Sequence, residues 1–298
     1  MPERVTFYSD GIQLVGYVYR PEGVSSGEKR GGILVCHGFG AHQERYLPEI
    51  ATRLAAHGYV AMTFDYRGFG ESHGPKWRLI PPEQVVDIRN AFTFLQIQDG
   101  VDPKSVGLYG TSYGGANVVN AAAVDKRVRC TVSVVGVGNG ERWMRGLRRG
   151  YEWARFQKEM EEDWQQRVVS GESRMVDRLD LMLTDPDTRV ETEKIYKQFP
   201  ASATHLPMET GQAVIDNHPE EAVHRISPRP VLFIIAEHDV LVPPEITREV
   251  YDRALEPKKW VVVPDVGHFD MYYDPALAKV IEETDDWFQR YMPAKPSG

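Results

Sequence analysis

The residues best suited to covalent chemistry lie in Gly110-Thr111-Ser112-Tyr113-Gly114, a G-x-S-x-G pentapeptide. An apolar run, Val106 to Tyr109, precedes it, and a small-residue run, Gly115-Ala116-Asn117-Val118, follows. That setting predicts a strand feeding a sharp turn into a helix, the turn that lifts a nucleophilic serine above a sheet. The two glycines are expected where neighbouring main chain comes too close for a side chain. The helix N-terminus beyond Ser112 favours negative charge at the turn.

A serine hydroxyl needs a base, and histidine is the usual one near neutral pH. With this turn, the acid follows the serine and the histidine comes last. Of the nine histidines, His205, His218, His224, His238 and His268 follow Ser112. His205 and His218 lie where the strand rhythm breaks, His224 precedes a strand, and His238 adjoins the best acid candidate. His268, in Val266-Gly267-His268-Phe269, sits just past the apolar run 260–263, in a loop at a strand's C-terminal end. The acid is expected at Asp239, directly after the run Phe233-Ile234-Ile235-Ala236, where it would hold the imidazole in one tautomer. Glu237 and Asp265 are its local rivals. Acyl transfer also needs two N–H donors facing the carbonyl oxygen. These are expected from Tyr113 and from Phe39 in His37-Gly38-Phe39-Gly40, with His37 a structural hydrogen-bonding residue.

The elements that must position these groups follow from periodicity. Residues 3–8 and 12–19 alternate in polarity around Ser9-Asp10-Gly11, a hairpin. Further strands are expected at 33–36, 59–64, 106–109, 130–137, 230–236 and 260–263, with helices at 44–57, 82–97, 113–124, 244–255 and 275–291. Strands alternating with helices imply an α/β fold with a parallel sheet covered on both faces. Between 140 and 222 the stretch is charged and no strand is evident, so it reads as a helical insertion. Trp153, Phe156, Met160, Trp164 and Val168 form a stripe over 151–169. Shorter helices are expected near 173–184 and 187–199, the latter started by Asp185-Pro186-Asp187. The core is therefore 1–139 with 223–298, and 140–222 is inserted between them.

Composition excludes several classes. A net charge of -8 without a basic tract argues against nucleic acid or an anionic membrane as partner. No apolar stretch approaches the ~18 residues of a membrane span. Cys36 and Cys130 sit in apolar runs as buried hydrophobes, and the opening Met1-Pro2-Glu3-Arg4-Val5 has no leader-like segment, so a cytoplasmic location is expected. Gly136-Val137-Gly138 has Glu141 where a dinucleotide fingerprint needs its third glycine, so no cofactor is expected; no metal motif is found either.

Together these residues resemble the α/β-hydrolase superfamily over essentially the whole chain outside the insertion. Asp65-Tyr66-Arg67-Gly68-Phe69-Gly70-Glu71-Ser72 looks like the loop that follows the fourth strand there, and Asp239 with Val242-Pro243 looks like its acid loop. The chain looks most like dienelactone-hydrolase-like and acetyl-esterase-like members and the catalytic domains of prolyl-oligopeptidase-type peptidases. The resemblance implies eight strands and a helical cap after the sixth. Departures are informative: His-Gly-Phe-Gly replaces the His-Gly-Gly-Gly of the hormone-sensitive-lipase group, and Ser112 stands where dienelactone hydrolases proper use Cys. No propeller domain is expected before the catalytic part.

The expected activity is hydrolysis of a small to medium carboxylic ester through an acyl-enzyme. The same residues could cleave an amide or peptide, a thioester or a C–C bond, and a non-catalytic binding protein on this fold is the alternative of another class. Trp143, Tyr151, Trp153, Phe156 and Trp164 are candidates for an aromatic substrate lining, although the stripe reads more simply as the face that docks the cap. Arg145, Arg148 and Arg149 could meet a substrate carboxylate but read first as a solvated face. The partner is a small-molecule substrate; a homo-oligomer is left open.

Overall fold

The computed structural model describes residues 1–25, 27–182 and 185–295. Its first half alternates strand and helix: β1 (Glu3–Ser9), β2 (Ile12–Tyr19), β3 (Arg30–Cys36), α1 (Leu47–Ala56), β4 (Val60–Phe64), α2 (Pro81–Gln96), β5 (Val101–Thr111), α3 (Tyr113–Val124) and β6 (Thr131–Val134). Then come α4 (Gly140–Gly146), α5 (Gly150–Ser170), β7 (Met175–Asp177), α6 (Arg178–Met182), α7 (Pro186–Gln198), β8 (His205–Pro207), α8 (Glu209–Ile215) and α9 (Pro219–Ala222). The chain closes with β9 (Val231–Ala236), α10 (Pro244–Arg253), β10 (Lys258–Val263) and α11 (Ala276–Tyr291).

Eight strands form one sheet in the order β1-β2-β4-β3-β5-β6-β9-β10. The hairpin β1–β2 is antiparallel and so is the β2–β4 pairing, while β4 through β10 pair in parallel. Strands covered on both faces read as continuous apolar runs, and all six residues of β9 are buried. Successive side chains leave opposite faces. Thus Leu34, Leu108, Phe233 and Ile235 join a core under α2, α3 and α10. Ile33, Val35, Tyr109, Leu232 and Ile234 join the core under α1 and α11.

Three readings need correction. The helix expected over 44–57 begins only at Leu47, so Arg45 and Tyr46 belong to the loop after β3, with Tyr46 at φ 66°. Where a helix was expected near 173–184, the chain instead forms β7, antiparallel to β8, followed by the short α6; residues 183 and 184 lie outside the described residues. The reason is local. Asp163, buried on α5, accepts from Ser173 Oγ and from the Arg174 N–H, which holds 173–174 extended at the entry to β7. Finally, the α5 stripe is buried only in its first half. Phe156 and Met160 pack inward against Gly211 of α8 with Trp153 buried beside Phe156, whereas Trp164 and Val168 are exposed. By contrast α7 starts at Pro186 with Asp185 accepting from the Thr188 N–H, as a helix start needs.

Candidate active site

β5 ends at Thr111 and α3 begins at Tyr113, leaving Ser112 alone at the turn with φ 55° and ψ -127°. A non-glycine residue there is strained, and the surroundings enforce it. The Ser112 N–H donates to Val134 O on β6, and its carbonyl accepts from the Gly115 N–H. A Cβ on Gly110 would lie 2.2 Å from Gly114 O, and one on Gly114 would lie 2.5 Å from both Cys36 O and His37 O. Both glycines are therefore required by close approach of main chain.

His268 lies on the loop after β10, and Asp239 on the loop after β9. The parallel β9–β10 pairing places both loops at the same end of the sheet. His268 Nε2 is 3.1 Å from Ser112 Oγ, and His268 Nδ1 is 2.7 Å from Asp239 Oδ2. Asp239 Oδ1 accepts from the N–H groups of Leu241 and Val242 at 3.0 and 2.7 Å, so the carboxylate is fixed from both sides. All of this lies in a buried setting, with His268 and Asp239 5% and 4% exposed. The rivals are directed elsewhere. Glu237 accepts from the Asp265 N–H, Asp265 is an exposed turn residue at φ 58°, and His238 is exposed.

Phe39 and Tyr113 meet beside Ser112. Among the described residues neither backbone N–H donates to another protein group. The Phe39 ring packs edge-on against Tyr113 and Trp143, both at 5.7 Å. His37 is buried, with Nδ1 toward Gly38 O at 3.1 Å and Nε2 receiving the Tyr66 N–H at 3.5 Å. Burial pushes its pKa down to about 3, so the ring stays neutral. Asp65 and Arg67 are likewise engaged within their loop: Asp65 accepts from the Gln43 and Glu71 N–H groups, and Arg67 pairs with Asp87.

A narrow pocket of about 40 Å³ opens on Ser112 and His268. Its walls come from the loop after β3 (Arg45, Tyr46), from the residues after His268 (Phe269, Tyr272) and from the 140–222 stretch (Arg178, Met182, Thr192). None of Trp143, Tyr151, Trp153 and Phe156 lines it, so the aromatic lining expected from them is corrected. Tyr151 is exposed, as is Trp164. Phe156 buries itself between α5 and α8, where a Cβ on Gly211 would touch it at 2.9 Å, and Trp153 is buried beside it. Trp143 lies behind the pocket and donates through Nε1 to Leu241 O at 2.7 Å. It thereby ties the acid loop to Phe39 and Tyr113. Nor does the cluster of Arg145, Arg148 and Arg149 face the pocket. Arg148 lies over the Phe156 ring at 3.8 Å, Arg149 starts α5 with Glu152, and Arg145 is exposed. The pocket's cations, Arg178 and Arg45, carry no sequence signal: neither belongs to a motif, and the charge runs lie elsewhere.

Among the described residues two groups of metal-ligating types occur, His218 with Glu220 and Glu221, and Glu237 with His238 and Asp265. Neither borders the pocket, and Asn139 Nδ2 already engages both His218 and Glu220. Among the described residues no helix is long and apolar enough to cross a membrane.

Comparison with known proteins places this arrangement. A family model for the alpha/beta hydrolase fold matches residues 32–275. An uncharacterized 31.7 kDa protein of the traX-finO intergenic region of Escherichia coli is 32% identical over 95% of this chain and 97% of its own length. Thiohydrolase aneE of Aspergillus aculeatus is 26% identical, covering 96% of this chain and 92% of its own. The crystal structure of the α/β hydrolase GrgF from Penicillium sp. superposes with a TM-score of 0.82 at 21% identity, covering 98% and 99% of the two chains. On the match over residues 32–275 and the eight-stranded sheet that carries it, the chain belongs to the α/β-hydrolase family and is a hydrolase.

Proposed function

We propose that the protein is a serine hydrolase that cleaves a small to medium carboxylic ester through a covalent acyl-enzyme. The observation that carries this reading is the run of two hydrogen bonds from Ser112 Oγ through His268 to Asp239. Ser112 Oγ attacks the carbonyl carbon while His268 Nε2 takes its proton. Asp239 steadies the imidazolium through Nδ1. The oxyanion is received by the N–H groups of Phe39 and Tyr113, each such donor being worth about 3 kcal/mol of barrier. As the tetrahedral species collapses, His268 returns the proton to the leaving alcohol oxygen. Water, deprotonated by the same imidazole, then releases the acid and regenerates Ser112.

Residues 140–222 act in this reading as a cap. The support is that Arg178, Met182 and Thr192 wall the pocket beside Ser112. A thioester substrate is the second reading, favoured by the thiohydrolase that this chain resembles over 96% of its length. The catalytic residues and steps are the same, with a thiol leaving.

The test is kinetic. Wild type should label at Ser112 with a fluorophosphonate, and S112A should not. D239N and H268A should each lower kcat on a short p-nitrophenyl ester by about 10³-fold or more. Turnover near normal in either variant would show that the partner is misassigned. Matched esters, thioesters and anilides then rank the bond cleaved. Rates at the blank on every short ester would remove the ester reading.

A further inference from the structure

The pocket that opens on Ser112 contains two arginines and no carboxylate among its lining residues, in a protein of net charge -8. Arg178, first residue of α6, is 5% exposed, yet its Nε and Nη1 have no hydrogen-bond partner. Arg45, also 5% exposed, leaves its Nε without a partner. Its one side-chain hydrogen bond goes to the Tyr46 hydroxyl, which is neutral. Both guanidiniums lie near aromatic faces rather than acids: Arg45 over Tyr46 at 4.7 Å and Phe269 at 5.8 Å, Arg178 toward Phe39 at 5.9 Å. The Tyr196 hydroxyl neighbours Arg178 and offers it an oxygen, not a carboxylate. Other charged or titratable groups around Arg178 are Tyr46, Arg45 and the neutral His37 and His42.

A buried guanidinium without a counter-ion is costly, because it has lost its water and gained no acid. Among the described residues the one other buried arginine, Arg67, is paired with Asp87. Arg45 and Arg178, which have no acid, sit where substrate must bind. Arginine's planar fork suits a carboxylate, which it can hold through two parallel N–H···O bonds.

Resting on the ester or thioester reading above, we propose that the substrate of this site carries a second, free carboxylate that binds Arg178, with Arg45 beside it, while its scissile carbonyl lies over Ser112. The carboxylate neutralises the buried charge and orients the substrate. It belongs either to the acyl chain or to the leaving group, since both must pass through the same pocket. Arg178 is thus a specificity residue supplied by the 140–222 stretch, and Phe39, which it approaches, links it to the N–H donors.

The experiment compares acids with neutral isosteres. Acyl-side arms are the monoethyl esters of succinate, glutarate and adipate against ethyl butyrate, pentanoate and hexanoate. The leaving-group arm is 4-acetoxybutanoate against butyl acetate. In wild type at least one arm should favour the acid by tenfold or more in kcat/KM. R178M should reduce that acid-to-neutral ratio at least tenfold, and the arm that responds identifies which part bears the carboxylate. A ratio near one in wild type, or one unchanged in R178M, overturns the proposal. Calorimetry on wild type provides an arm that does not depend on the folding of R178M. The keto acids 4-oxopentanoate, 5-oxohexanoate and 6-oxoheptanoate should include one that binds at least tenfold tighter than the corresponding neutral ketone. Equal binding, or binding of inorganic phosphate but of none of the keto acids, overturns it as well. Fluorophosphonate labelling with cleavage of neutral esters but indifference to carboxylates would sink this inference alone. Absence of both labelling and cleavage would sink the hydrolase mechanism, and the calorimetry would still decide whether the arginines bind an acid.

Discussion

Ser112 is held at φ 55° by main chain on every side, a conformation that costs about 1–3 kcal/mol and is stable only because its surroundings leave no alternative. The glycine at 114 shows how tight that enclosure is. Its missing Cβ would stand 2.5 Å from the carbonyl oxygens of Cys36, at the end of β3, and of His37, and neither is the end of a flexible side chain. G114A should therefore cost about 3 kcal/mol, at the upper end of overpacking penalties, and slow fluorophosphonate labelling of Ser112. Urea unfolding measures the first effect; unchanged stability would show that the turn tolerates the methyl. The pentapeptide was readable from sequence because its cause is local: a short sharp turn needs those glycines wherever it occurs. Arg178 had no such signature. Nothing within several residues of it distinguishes a pocket arginine from a solvated one, and its partner-free burial exists only after α6 has packed over Phe39.

Between elements, two side chains connect the loops around the pocket. Trp143 on α4 reaches the acid loop through Leu241 O and packs on both Phe39 and Tyr113. W143F retains most of the ring area but loses the bond to Leu241, so kcat on a short ester should fall about tenfold with stability down by about 1–2 kcal/mol. An unchanged kcat would mean that the acid loop holds itself. His42, in the loop after β3, hydrogen-bonds Ser202 Oγ at 3.2 Å and packs edge-on against Phe199, joining the loop to the residues that follow α7. Burial first, then Arg45 and Arg178, push its pKa down to about 4. The unfolded chain takes up that proton near the ordinary value of 6.5, while the fold refuses it until about 4. The unfolded state thus binds more protons in that window, and stability falls as pH drops from about 6.5 to 4, by up to about 1.4 kcal/mol per unit. H42Q should flatten that part of a melting-temperature profile against pH; an identical slope would assign the acid sensitivity to other groups. The α5 stripe carries the same lesson for reading elements. Its 3.6-residue period correctly predicted a helix, but periodicity did not disclose that packing against α8 ends before Trp164.

Across the molecule, two cores enclose the sheet, and each cysteine sits among their strands. Cys36 ends β3 and Cys130 precedes β6; both are fully buried and unpaired, and burial pushes both thiols up. Neither should react with a disulfide reagent such as DTNB in the folded state, and two thiols per chain should appear on unfolding, at a rate that follows opening of the core. Prompt labelling of one thiol in the native protein would reveal local opening of its strand. The eight strands of the sheet and the major helices of the two halves were legible because burial on one or both faces imposes a repeat on the residues themselves. The turn at Ser112 was legible for its glycines, and the places of Asp239 and His268 after β9 and β10 for the apolar runs that precede them. What the sequence by itself determined was therefore whatever a few neighbouring residues must satisfy together. Tertiary structure alone decided the rest: the short β7–β8 pairing, the withdrawal of Trp143, Trp153 and Phe156 from the pocket, and the turning of Arg45 and Arg178 into it. Those outcomes depend on contacts between residues far apart in the chain, and Arg178 and Phe39, 139 positions apart, had no means of announcing each other before the fold brought them together.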